Sequence, residues 1–120
     1  AAFKNTFFFI SQNDIHALKQ TLSSGRIVPF SIPIFNSWYE SKDTFRTGRI
    51  TMPLLNEGES GGHSMTLVGF QDDDNYPGGG YFLIRNSWGT DWANESYYGA
   101  GYGIIPYAYI QKYCWEAFAF

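Results

Sequence analysis

At 120 residues, 44% hydrophobic and 20% aromatic, the chain has the length of one domain spanning 1–120 and enough apolar side chains for a packed core. A formal charge of −3, with 8 Lys and Arg against 11 Asp and Glu and no basic cluster, excludes a phosphate-tracking nucleic-acid surface, and no apolar run approaches the roughly 20 residues of a membrane span. The single cysteine, Cys114, rules out an internal disulfide and leaves the redox compartment, and with it the localisation, open.

In chain order, Phe7 to Ile10 is apolar but too short for the core of a signal peptide, and Ala1 reads as an internal cut or a processed end. Ser11 to Gly25 follows as an amphipathic helix. Ser11 or Asn13 caps it, Ile15, Leu18 and Leu22 share one face, and Gly25 suits the left-handed residue that ends it. Val28, Phe30, Ile32 and Ile34 then alternate with Pro29, Ser31 and Pro33, a period-two strand whose prolines cannot donate on their own side and so imply an edge-facing stretch. Asn36 to Ser41 is expected as a helical turn, Gly48 to Pro53 as a short strand, and Asn56 to Gly62 as a loop that delivers His63.

The runs His63 to Phe70 and Tyr81 to Ser87 are apolar enough for buried strands, and the turn formers of Gln71 to Gly80 make them an antiparallel pair. His63 stands near the start of the first and Asn86 near the end of the second, so pairing brings the two to one edge. Tyr97 to Ile105 reads as a further strand, Pro106 to Tyr113 as a helical turn and Trp115 to Phe120 as an extended end. Short strands, many turns and one or two short helices give an α+β, β-rich fold built on an antiparallel barrel or rolled sheet.

A histidine beside an asparagine is the base and the orienter of a thiol hydrolase. A free thiol titrates near 8.5, and a facing imidazolium favours the thiolate, so His63 would create the nucleophile as an ion pair, protonate the leaving amine, and later activate water. The Asn86 carbonyl oxygen would accept a hydrogen bond from the far ring nitrogen and hold the imidazole without adding charge.

Gly62 to Phe70 and Asn86-Ser87-Trp88-Gly89-Thr90-Asp91-Trp92 resemble the histidine and asparagine motifs of the papain-like cysteine peptidases. The helix before Arg26 to Phe30 and the stretch Gly101 to Tyr107 extend the likeness over most of the chain. The resemblance implies the β-barrel lobe of a two-lobe fold, the C-terminal half, with the nucleophilic cysteine on a helical lobe that this sequence does not contain. It also implies that Trp88 covers the His63–Asn86 bond, and that Gly62, Ser64 and Ile32 line the pocket for the substrate side chain two positions before the cut. Peptide or protein substrates, a cysteine-bearing lobe or chain as partner, no cofactor and no metal go with it.

Plainer readings stand beside these. His16 is a solvated helix residue, Trp92, Tyr97, Tyr98, Tyr102, Tyr107 and Tyr109 are core and rim aromatics, and Asp72-Asp73-Asp74 lacks the acidic alternation and glycine of a calcium loop, which makes it a solvated hairpin tip. No His, Cys, Asp and Glu grouping has metal-ligand spacing. Cys114, flanked by Tyr113 and Trp115, falls after His63 in chain order, where the papain-like arrangement does not put its thiol, and is expected to pack. Three functions remain open: a cysteine peptidase that is inert as this chain alone, a non-catalytic papain-like binding domain, and a thiol acyl-transferase using the same pair. The exposed face of a lone lobe predicts association with the cysteine-bearing piece or with a second copy.

Overall fold

The computed structural model describes residues 8–10, 15–35, 38, 42–53, 58–86, 92–113 and 116–119. Helix α1, Ile15–Ser23, buries Leu18 and Leu22 as their spacing requires, and it ends where the Gly25 amide reaches the Leu22 carbonyl at 3.1 Å with φ of +87°. Its expected caps, Ser11 and Asn13, lie outside the described residues.

Strands β1 (Phe8–Ile10), β2 (Val28–Phe35), β3 (Glu59–Asp72), β4 (Gly80–Arg85), β5 (Tyr102–Pro106) and β6 (Glu116–Ala119) form one sheet in the order β1-β6-β2-β3-β4-β5. Every strand pair in it is antiparallel. Helices α2 (Lys42–Thr47) and α3 (Tyr107–Tyr113) join α1 in a β-rich α+β fold that has, among the described residues, more short helices than the one or two expected. The rolled sheet packs one face against α1 and α3 around Leu18, Val28, Phe30, Leu67, Phe82, Ile84 and Tyr109, all at most 2% exposed.

Three local expectations are corrected. β2 is an interior strand, because β6 returns to it, and among the described residues β6 pairs with it at Phe30 and Ser31. Beyond that pairing, the Pro33 carbonyl takes the Tyr109 hydroxyl at 3.0 Å, so a side chain closes the margin where a proline cannot donate. Gly48 to Pro53 is no strand: Arg49 makes an isolated parallel bridge to Ile104, and α2 occupies the stretch before it. The run Tyr97 to Ile105 becomes strand only from Tyr102, since 92–101 is spent on turns.

The β3–β4 hairpin has a one-residue irregularity between Leu67 and Gly69. Before it the inward residues of β3 are odd-numbered, with Met65 and Leu67 buried; after it Phe70 packs on the core. An extra residue on one strand reverses which side chains face inward, so both halves of this 14-residue strand bury their apolar row.

Candidate active site

β3 begins at Glu59, so the glycine-rich segment before His63 is paired strand and not a free loop; Ile34, Pro33 and Ile32 of β2 lie opposite Gly61, Gly62 and His63. Pairing with β2 takes up part of the glycines' backbone hydrogen bonding, which overrides their turn preference. His63 therefore stands mid-strand, half-buried, on the same side as Met65 and Leu67.

Asn86 follows β4 directly. Alternation with Phe82 and Ile84 turns it to the inner face, and it is 3% exposed. Its Oδ1 is 2.9 Å from His63 Nε2, across 23 residues of sequence. The amide oxygen can only accept, so Nε2 carries the hydrogen and donates, and Nδ1 becomes the ring nitrogen that takes up and returns a proton.

The backbone of Asn86 is fastened as well. Its N–H donates to the Gly101 carbonyl at 3.0 Å, and the Gly101 N–H donates to the Trp92 carbonyl at 3.0 Å. Trp92, 1% exposed, stacks on Trp38 at 5.9 Å with planes 23° apart, and its indole N–H reaches the Trp38 carbonyl at 3.4 Å. Trp38 in turn donates to the Tyr109 hydroxyl at 3.2 Å. Trp92 and Tyr109, expected as core and rim aromatics, and Trp38, expected in a helical turn, form the mounting of the asparagine; Trp92 closes the asparagine motif six positions after Asn86 and Gly101 opens the stretch that extends the likeness, but residue type marks neither as a support.

Of the other residues singled out, Gly62 and Ser64 are exposed on the outer face of β3, where Ser64 shares a 3.1 Å hydroxyl contact with Ser31. Ile32 sits directly across from His63 with no exposed surface. Trp88 and Cys114 lie outside the described residues. The three aspartates divide: Asp73 accepts the Asn75 amide at 2.9 Å in an Asx turn at the hairpin tip, while Asp72 pairs with Lys19 at 2.8 Å and accepts the Tyr107 hydroxyl at 2.7 Å. Among the described residues no group of three or more His, Cys, Asp and Glu is placed to hold a metal, and no helix is long and apolar enough to cross a membrane.

A rolled antiparallel sheet with short helices, a strand-borne imidazole and a carboxamide 2.9 Å from it is the architecture of the barrel lobe of a papain-like fold. The profile described as papain family cysteine protease matches residues 2–114, and the chain belongs to that family. It is 34% identical over 96 residues to an uncharacterized peptidase C1-like protein of Acanthamoeba polyphaga mimivirus, covering 80% of this chain and 27% of that protein. A cathepsin B-like protein of Giardia intestinalis is 31% identical over 88 residues, 71% of this chain and 26% of its own length. Among solved structures, xylellain, a cysteine protease from Xylella fastidiosa, superposes with a TM-score of 0.74 at 30% identity over 94% of this chain and 38% of that one. The chain thus spans about a quarter of these curated relatives.

Proposed function

We propose that this chain is the histidine- and asparagine-bearing half of a cysteine peptidase, hydrolysing peptide bonds with a thiol brought by a cysteine-bearing helical lobe on another segment or chain. The observation that carries this reading is the 2.9 Å contact between His63 Nε2 and Asn86 Oδ1, made by side chains from β3 and from the residue that follows β4, whose backbones are independently held. A binding-only domain has no chemical use for an oriented imidazole.

In the assembled site the thiol proton passes to His63 Nδ1, leaving thiolate beside imidazolium. The thiolate adds to the scissile carbonyl, the imidazolium gives its proton to the departing amine, and the neutral ring then takes a proton from the water that cleaves the thioester. Asn86 keeps the ring plane fixed throughout. Gly62 and Ser64, small and exposed on the outer face of β3, leave room for a bulky apolar substrate side chain on that face, whereas Ile32, with no exposed surface, supports His63 from β2 and lines no open pocket.

The chain alone is expected to cleave no peptide. Reassembly with the cysteine-bearing part should restore turnover of a fluorogenic peptide; His63→Ala should then lower kcat/KM by roughly 10²- to 10⁴-fold, and Asn86→Ala by a smaller factor. Full activity of the reassembled His63→Ala protein would overturn the assignment.

A further inference from the structure

Two clefts of about 600 and 460 Å³ meet on the outer surface, sharing Thr47, Arg49 and Tyr76. One runs on past Ile50, Met52, Pro77 and Pro106, the other past Tyr81, Tyr97, Tyr98 and Ile104. Tyr81 alternates with the buried Phe82, so this trough lies on the face of β4 opposite the one that carries Asn86. It is separate from the candidate active site.

Four tyrosines form a continuous file in it. Ring centroids are 4.7 Å apart for Tyr76 and Tyr81, 6.5 Å for Tyr81 and Tyr98, and 5.1 Å for Tyr98 and Tyr97, with successive planes inclined by 54°, 59° and 88°. Tyr97 is 93% exposed and Tyr98 41%, although aromatic surface of this kind is ordinarily buried. The Tyr81 and Tyr98 hydroxyls share a hydrogen at 2.7 Å, leaving that pair with lone pairs and one hydrogen to offer a ligand. Steeply inclined rings make ridges and not a flat platform. Ridged tyrosine surfaces suit the pyrrolidine rings of a polyproline II segment, whose outward carbonyls accept from hydroxyl groups.

Arg49, at the junction of the clefts, adds charge. Its guanidinium has five donors, of which one goes to the Tyr76 hydroxyl at 3.2 Å. Among the described residues no carboxylate pairs with Arg49, whereas Arg46 approaches Glu95 at 3.7 Å. Arg46 and Glu95 also line the clefts and offset each other, so on a chain of net charge −3 Arg49 leaves the aromatic trough with a net positive charge.

We propose that the trough binds an extended, proline-rich peptide segment carrying an acidic residue, with the prolines across Tyr76, Tyr81, Tyr98 and Tyr97 and the carboxylate on Arg49. Fluorescence anisotropy of a labelled short peptide of prolines flanking one glutamate, titrated with the full protein including its cysteine-bearing part, should give a Kd on the order of 100 μM. Arg49→Gln should weaken binding about tenfold for this peptide but leave a glutamine-containing peptide unaffected, because only the charge pair is lost. Tyr97→Ala, a change at a solvent-facing side chain, should weaken both peptides about three- to tenfold. Replacing the prolines by alanine should abolish binding.

No binding at millimolar protein, equal affinity of the parent and both variants, tighter binding of a linear anionic oligosaccharide, or a dimer that Tyr97→Ala dissociates without any peptide binding would each overturn the proposal.

Discussion

Two backbone hydrogen bonds separate Asn86 from the buried indole of Trp92, and Gly103 decides how closely that indole can lie against the sheet. A Cβ built on Gly103 would stand 2.6 Å from the Gly48 carbonyl oxygen and 2.8 Å from the Trp92 ring, closer than such atoms approach in folded proteins. Gly103→Ala must therefore displace a packed indole and a backbone carbonyl, an overpacking cost of about 1–3 kcal/mol. Thermal unfolding should show a Tm lower by several degrees, and an unchanged Tm would show that Trp92 is free to move. His63 and Asn86 themselves were readable from their neighbours in sequence; Gly101 was not, because its contribution is a carbonyl, which every residue has.

Between elements, α1, β3 and α3 are clasped by one exposed network. Lys19 of α1 bridges to Asp72 of β3, which also accepts the Tyr107 hydroxyl of α3, and the ammonium lies 5.7 and 5.4 Å from the Phe70 and Tyr107 rings. The hydrogen bond from Lys19, followed by that from Tyr107, holds the Asp72 carboxyl below the usual 3.8. A depressed carboxyl stabilises the fold above its unfolded value and loses that contribution as pH falls through the folded one, so the clasp loosens below about pH 4. The Tyr107 phenol is pushed up, by burial first and then by Asp72, so its contribution is full below about pH 10 and is lost as pH rises through its raised value. Urea midpoints measured from pH 6 to pH 2.5 should fall less steeply for Asp72→Asn than for the parent; identical slopes would remove Asp72 from the account. Periodicity gave α1 and the hairpin, but the three aspartates looked alike in sequence because their roles depend on which element each one meets.

At the scale of the molecule, the sheet order interleaves the two ends of the described chain. Phe8 pairs with Ala119, and β6 lies between β1 and β2, so the last strand is framed by early ones. Apart from the β3–β4 hairpin, the strand pairs join segments distant in sequence, and such a fold pays loop closure before pairing rewards it. Deleting 116–119 should strip β1 of its partner and uncover the β2 margin at Phe30 and Ser31. Amide exchange should then quicken at residues 8–10 and in β2 while the β3–β4 hairpin keeps its protection; uniform loss across the sheet would show that the strands unfold as one unit.

The order of residues alone settled the antiparallel, β-rich character, the first helix, the hairpin and the meeting of His63 with Asn86, since each of these follows from local periodicity, turn chemistry or strand pairing. Packing alone decided the rest. The shift between Leu67 and Gly69, the short helix Lys42–Thr47, the pairing of the glycine-rich segment into β3 and the mounting of Asn86 on Gly101 and Trp92 all depend on backbone groups and on partners from distant segments. A backbone amide carries no signature in the sequence, and which partner satisfies it is fixed only once the sheet has rolled and excluded water.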